Sequence, residues 1–456
     1  MKIRVFLAVL ACKVSRFLIR LLGRGGTDLP GRVALKICPG LLGELAKGVK
    51  TILVTGTNGK TTTARMIEQS LTDSGISFFA NRSGANLLSG VTAEYAMHST
   101  LFGRCRNDYA LIETDEAAFK HIARCVRTSV VVVTNVFRDQ LDRYGDVTNT
   151  LENILLGLKE CPDATVCLNA DDSLCTSLRD RIENPVVFYG VQTPMYEKRV
   201  EELSDAPYCV RCRHAYTYDY VTYGHLGAYA CPSCGFRRPD PDIYVEKILS
   251  MDESSATVVF SDGTRSDNCV IGLPGGYNIY NACAAMAAGK ALGLDPAVCA
   301  ASLGHFTCGF GRMEKFPIGK TELRMILIKN PAGCSQVLNY LSQRTEEYVF
   351  AICLSDHTQD GKDISWIWDV DFECLYGEDK PLRDVWFSGG RAEDMAMRFK
   401  YAGFPEERLH IEKDYETLVR TLTDREVPVY IMPTYTAMLD LRSTISKKFG
   451  FKAFWE

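Results

Sequence analysis

Residues 51–63, TILVTGTNGKTTT, decide the fold. Thr51 to Thr55 is a short β-branched run of the kind that fills a buried strand. Gly56-Thr57-Asn58-Gly59 has the composition of a turn, and residues 61–75, TTTARMIEQSLTDSG, read as a helix closed by Gly75. A strand–turn–helix of this kind aims several backbone N–H groups and the positive end of a helix dipole at one point, which suits a phosphate. Lys60 reaches β- and γ-phosphates from such a turn, and the Thr61 hydroxyl is a ligand for Mg²⁺. The strict pattern GxxxxGK[ST] is not met, because Val54 stands where its first glycine belongs. A solvated surface turn is the competing reading, and the buried strand in front of it argues against that. The turn points to nucleotide without fixing the reaction.

Working outward, DYALIET (108–114), TSVVVVTNV (128–136), ATVCLNADD (164–172) and NPVVFYG (184–190) are further strands, and TSVVVVTNV is almost wholly apolar. Continuous apolar strands alternating with helical segments predict a doubly wound α/β domain. In such a fold, acids that serve a metal sit at strand ends. Glu113, Asp115 and Glu116 follow one strand, and Asn135 and Asp139 follow another. IYVEKILS, ATVVFSDG and NCVIGLPG continue the strand pattern, and NIYNACAAMAAGKALG (278–293) is a helix. From about His305 a second α/β pattern begins, with strands LRMILIK, EYVFAICLS, DVWFSGG and VPVYIMP. Trp366 and Trp368 alternate at strand spacing, as core or interface residues do. The expected division is 1–304 and 305–456, with an inserted module at 205–241.

The chain has 456 residues, 46% hydrophobic and 24% charged, which fits two or three globular domains and excludes bulk disorder. A formal net charge of -4 gives no overall basic excess for nucleic acid. Four of the 18 Cys form two CxxC pairs and the rest are scattered, the usage of a reducing compartment, so the expected location is the cytoplasm. The apolar stretch Val5 to Cys12 falls short of the roughly 20 residues a bilayer span needs, and Lys13 and Arg16 stand where a signal-cleavage site would be. From Val9 to Leu22, apolar residues recur at helical spacing with basic residues between them. Two readings remain open: a first helix packed on the body, or one lying on the anionic inner face of a membrane.

The insert carries Cys209, Cys212, Cys231 and Cys234, two CxxC pairs with 18 residues between them. That spacing predicts a four-thiolate Zn²⁺ site whose metal supplies folding energy to a segment too polar for a core. His214 and His225 lie in the same module as alternative ligands. Arg211, Arg213, Arg237 and Arg238 keep open a nucleic-acid-binding ribbon, which Glu201, Glu202, Asp205 and Asp219 weaken.

Taken together, TGTNGKTTT, the strand end at Glu113, TNVFRDQLDRYGD, LPGGYNIYNACAA and GRMEKF resemble the central and C-terminal domains of the Mur ligases. The four-cysteine insert and DGKDISWIWDVDFE (360–373) narrow the resemblance to the MurT branch, over nearly the whole chain. It implies an α/β chain: a P-loop central domain with a zinc-ribbon insert, then a Rossmann-like C-terminal domain. It further implies that Thr57, Asn58, Gly59, Lys60, Thr61 and Thr62 hold the ATP phosphates, that Asn281 and Arg312 contact the nucleotide, and that Thr61 and Glu113 serve Mg²⁺. Asn330-Pro331 would replace a His-Asn-Pro segment, with Lys329 in place of the His, and Ser355 stands where an Asn is usual. Asp363, with Asp360 as fallback, would be the functional acid of the C-terminal domain. No position identifies the carbamylated lysine of other Mur ligases.

The implied reaction is ATP-dependent amidation of the D-glutamate α-carboxyl of lipid II to D-isoglutamine through an acyl phosphate, in peptidoglycan synthesis. No G-x-C-x-G nucleophile turn occurs; Cys334 in AGCSQ and Cys308 in TCGFG both miss it. The resemblance therefore implies a glutaminase partner, GatD, as ammonia source, with lipid II as substrate and no nucleic acid. The alternatives are a Mur-like amino-acid ligase such as a folylpolyglutamate synthase, or a zinc-ribbon NTPase that binds nucleic acid.

Overall fold

The computed structural model describes residues 2–21, 28–81, 85–139, 147–196, 204–252, 254–306, 312–357, 360–377 and 379–451. They fall into two compact units, one within 1–137, 147–195 and 206–306, the other within 138–146, 196–205 and 307–456.

In the first unit, β1 (Lys50–Thr55), β2 (Phe78–Ala80), β3 (Tyr109–Glu113), β4 (Arg127–Val133), β5 (Thr165–Asn169) and β6 (Val186–Val191) run parallel. The hairpin of β7 (Thr217–Tyr223) and β8 (Leu226–Ala230) belongs to the insert. β9 (Ile243–Met251), parallel to β6, then leads an antiparallel extension through β10 (Ala256–Ser261) and β11 (Ser266–Ile271). Among the described residues the order is β11-β10-β9-β6-β5-β4-β1-β3-β2. After β1 the chain moves to β2 and β3 on one side and then to β4 on the other, so β1 lies at the switch point where such sheets bind ligands. Helix Gly276–Leu292 is buried on nearly every face, because its Ala- and Gly-rich surface seats closely on β4 to β6 and on helix Lys60–Asp73.

The first helix spans Lys2–Leu21, taking in the Val5 to Cys12 run as well as the predicted segment; Leu22 lies outside the described residues. It buries Val5, Ala8, Val9 and Cys12 against helices Asp28–Ile37 and Leu88–Met97. Arg16 pairs with Glu94 at 2.8 Å.

The second unit holds β12 (Arg312–Ile318), β13 (Thr321–Ile326), β14 (Tyr348–Cys353), β15 (Leu382–Ser388), β16 (Leu409–Ile411) and β17 (Val429–Pro433), in the order β12-β13-β17-β14-β15-β16. All neighbours are parallel except β12 and β13. β14 lies between β17 and β15, so the segment after Cys353 again leaves the sheet at a switch point. One expectation is corrected here. Trp366 and Trp368 lie in a 3₁₀ helix, Ser365–Asp369, not in a strand. Ile367 is the residue this turn buries, while Trp368 is 52% exposed.

Candidate active site

Parallel pairing sets Val54 of β1 beside Glu113 of β3, so the strand end that starts the turn lies next to a carboxylate. Asn81 fixes that strand end, accepting from the Glu113 N–H at 2.9 Å and donating to its carbonyl at 2.8 Å. The Thr61 hydroxyl donates to Glu113 Oε2 at 2.8 Å. Two hard oxygen donors therefore face each other at the helix N-terminus, the chemistry a divalent cation takes. Lys60 is only 8% exposed; its ammonium meets Glu116 Oε1 at 2.8 Å and the carbonyls of Gly56 and Thr57. Asp115 caps helix Glu116–Ala123, accepting from the Ala117 and Ala118 N–H groups.

Gly59 has φ +83°, and a Cβ there would come within 2.1 Å of Asn281 Oδ1. No other residue lets Asn281 approach the turn so closely. The same oxygen accepts from the Thr63 hydroxyl at 3.3 Å, and Asn281 donates to Asn278. Asn281 thus stands over the helix start, while Thr62 is buried beneath it. The backbone of Arg312 opens β12, and its side chain lies outside the described residues, as do residues 140–146, Glu201, Glu202 and Cys308.

Sequence reading offered Asn135 as a metal candidate, and the structure gives it another task. Its carbonyl accepts from the Thr57 N–H at 2.9 Å, its side-chain oxygen from the Asn58 N–H at 2.9 Å, and its amide donates to the Asn58 carbonyl at 3.1 Å. Asp139 belongs to the second unit, where it meets Lys329 Nζ at 2.6 Å and Asn330 Nδ2 at 3.4 Å. Asn330 Oδ1 also caps helix Pro331–Ser342 through the Gly333 N–H.

The four cysteine sulfurs lie within 4.8 Å of one another, with Cys209–Cys234 at 3.6 Å and Cys212–Cys231 at 3.3 Å. Tetrahedral zinc with Zn–S bonds near 2.3 Å sets sulfurs about 3.8 Å apart, so this donor set fits. The two CxxC turns match in backbone: Arg213 and Gly235, each just after the second cysteine, have φ of +64° and +73°. Burial raises the Cys209 thiol, but the N–H groups of Cys212 and Arg211 outweigh it and bring it down to about 6, favouring a thiolate. His214 is exposed and is not part of the cluster. His225 points elsewhere, its Nε2 at 3.2 Å from Asp172 Oδ1. Two of the four arginines weighed as a nucleic-acid stripe are held within the chain: Arg238 by Asp171 at 2.6 Å, Arg211 by Asp180.

Asp171 and Asp172 read in the sequence only as a strand end, yet both are fully buried. Burial pushes the Asp171 carboxyl above its usual range, although Arg238 and the Tyr280 hydroxyl oppose this. The available signal was two consecutive acids after an apolar strand, which need partners somewhere in the chain.

In the second unit Asp363 is half-buried and accepts from the Ser365 N–H at 2.8 Å. The hydroxyl and N–H of Ser365 hold its carboxyl below the usual range, so it is ionised at neutral pH. Asp360 is 6% exposed and accepts from the Thr436 N–H at 2.8 Å, in the first turn of helix Tyr435–Phe449. Cys334 is buried and has its thiol pushed up by desolvation, the opposite of an activated nucleophile.

Two family models match the chain: the Mur ligase middle domain over residues 54–289 and the MurT ligase C-terminal domain over residues 327–438. The MurT subunit of lipid II isoglutaminyl synthase (glutamine-hydrolyzing) from Streptococcus pneumoniae is 34% identical over 453 residues, covering 98% of each chain. The subunit of the same name from Staphylococcus aureus is 32% identical over 448 residues, 98% of this chain and 99% of that one. Among solved structures, a pseudomurein peptide ligase type C from Methanothermus fervidus superposes with TM-score 0.66 at 21% identity, covering 88% of this chain and 79% of its own. A MurF ligase from Thermotoga maritima in complex with ADP superposes with TM-score 0.64 at 14% identity, covering 91% and 84%. The Mur ligase α/β fold of the chain follows from these matches.

Proposed function

The chain belongs to the MurT family, and from that premise we propose that it amidates the D-glutamate α-carboxyl of lipid II, as the ATP-using half of a glutamine-dependent ligase in peptidoglycan synthesis. A carboxylate resists amines, because its charge and resonance repel a nucleophile. In the proposed reaction a carboxylate oxygen attacks the γ-phosphorus of ATP, the bond to the β-phosphate oxygen breaks, and ADP leaves. Ammonia nitrogen then attacks the carbonyl carbon of the acyl phosphate, inorganic phosphate departs, and nitrogen loses a proton to give the amide.

The observation that carries this reading is the turn itself, where Thr61 faces Glu113 at 2.8 Å and Lys60 is buried beside Glu116. Gly59 and Thr62 would offer N–H groups to the phosphates, Thr57 and Asn58, whose own N–H groups Asn135 holds, would shape the cradle around them, and Asn281 with Arg312 would hold the nucleotide. Thr61 and Glu113 would hold Mg²⁺, which neutralises charge on the transferring phosphoryl oxygens. Cys209, Cys212, Cys231 and Cys234 would hold a structural Zn²⁺ in a ribbon with no open coordination position. The second unit, a mainly parallel sheet with its Asp363 loop at the switch point, is the Rossmann-like domain of this reading, within a division at 1–304, 205–241 and 305–456. Asp363 is the acid that serves the glutaminase partner, GatD.

Purified protein with lipid II, ATP and Mg²⁺ should convert the stem-peptide OH to NH₂ when given ammonium, or glutamine plus the partner, as mass spectrometry reads. ADP release that lipid II does not stimulate would end the proposal.

The first helix supports a peripheral membrane contact as part of this reading. It turns Ile3, Leu7, Leu10, Val14, Phe17 and Leu18 outward, between 38% and 77% exposed, and carries no acid and five cations, of which Lys13 and Arg16 are held by the Ser99 carbonyl and Glu94. Among the described residues no helix is long and apolar enough to cross a membrane, so this one would lie flat on an anionic bilayer. Replacing Leu10 and Phe17 by Ser should weaken binding to phosphatidylglycerol vesicles by about tenfold or more. Unchanged vesicle binding by the double variant would exclude this face.

A further inference from the structure

The sequence offers the insert as a separate module, but its hairpin tip is buried in the first unit. His225 has a fully buried side chain, and Tyr223 is 3% exposed. Both meet the ring of Phe137, Tyr223 stacked at 5.7 Å and 11°, His225 at 4.5 Å. Phe137 ends the strap Thr134–Phe137 that leaves β4, and this strap is bonded to the phosphate turn along its length. The Thr57 hydroxyl accepts from the Phe137 N–H at 3.0 Å and donates to its carbonyl at 3.1 Å. Asn135 grips Thr57 and Asn58 as described above, and the Val136 N–H donates to Asp172 Oδ2 at 2.8 Å. Asp172 Oδ1 is the atom that His225 meets.

A second route leaves the same hairpin. The Tyr280 hydroxyl donates to Asp171 Oδ2 at 2.5 Å and lies 2.8 Å from the Thr222 hydroxyl. Tyr280 directly precedes Asn281, the residue that stands over Gly59. The hairpin therefore touches the supports of the phosphate turn from both sides, and contacts no residue of the turn itself in these bonds.

We propose that the four-cysteine insert is a positioning element for the phosphate-binding turn: Tyr223 and His225 hold the Phe137 strap, and the strap holds Thr57 and Asn58. Zn²⁺ held by the four cysteines would close the base of the hairpin, and ordering of the insert sets nucleotide affinity from a distance. This rests on the nucleotide reading of the turn.

The test uses the full chain with its partner and measures ATP and ADP affinity by calorimetry, with zinc content read by elemental analysis. His225→Ala and Tyr223→Leu, each retaining zinc, should weaken both nucleotides by about tenfold, a magnitude typical of coupling through a packed network. KM for ATP should rise while KM for lipid II stays, which a general loss of stability would not produce. Tyr223→Phe keeps the stacked ring and should restore wild-type affinity, and Asp219→Ala on the exposed side of the hairpin should change nothing. Tyr223→Leu answers alone if His225→Ala does not fold. Zinc-loaded variants with wild-type affinity would overturn the proposal. A wild-type chain that binds no nucleotide would instead remove the reading on which it rests.

Discussion

Replacing Lys60 by Met should lower acyl-phosphate formation by about 10²–10³-fold in kcat, the usual cost of one preorganised donor at a site of developing charge. Loss of activity alone would be ambiguous here, because Glu116 is 6% exposed and would be left without its cation. Breaking a buried ion pair from one side destabilises a protein by about 3–5 kcal/mol. The double variant Lys60→Met/Glu116→Gln removes both charges and should recover much of that stability without recovering turnover. Thermal unfolding and ADP release, measured together on both variants, separate the two effects. Unchanged ATP-dependent product in either variant would end the phosphate-turn argument.

Asp363→Asn should abolish glutamine-driven amidation, falling by about 10³–10⁴-fold if its carboxylate orients a catalytic His, as the acid of a triad does. The variant is a fair test because the local turn survives it. Among the described residues Asp363 accepts from the N–H and the hydroxyl of Ser365, and an Asn side-chain oxygen can accept these donors as well. What disappears is the charge, which Ser365 holds ionised at neutral pH. Ammonium-driven amidation should stay within about twofold of wild type, since an added amine bypasses the glutaminase. Loss with both nitrogen donors would move Asp363 onto the path of ammonia, and full activity with glutamine would remove it from the mechanism. Asp360, the fallback for this role, is buried and accepts the Thr436 N–H at the start of a helix.

The elements legible in the sequence were those whose cause is local. β1, β3 and β4 are short apolar runs ended by turn or acidic residues, and the Lys60–Asp73 helix follows a glycine turn, so composition alone marks them. The four cysteines were legible because CxxC spacing is a geometric statement about a metal. The strands β2 and β16 were not, being three residues each and held by pairing rather than propensity. The insert hairpin β7–β8 escaped because its register shifts twice and breaks the alternation. SWIWD misled through the same rule, since an i, i+2 pair of Trp fits a strand and a 3₁₀ turn alike. The turn residues Lys60, Thr61 and Glu113 were read from strand ends, and the structure brings them together at one corner of the sheet. The contacts Arg238–Asp171 and His225–Asp172 join residues 67 and 53 positions apart, and no window on the sequence contains both partners. For that reason His225 could be weighed as a metal ligand, when its partner is a buried carboxylate just after β5.

In the proposed reaction a phosphoryl group passes to the substrate carboxylate before nitrogen arrives. Lipid II carrying heavy oxygen in the D-glutamate α-carboxylate tests it directly, with ATP, Mg²⁺ and ammonium, by mass analysis of the phosphate released. Each amide formed should send one labelled oxygen into inorganic phosphate, since the carboxylate oxygen leaves bonded to phosphorus. Amide formed alongside wholly unlabelled phosphate would contradict it.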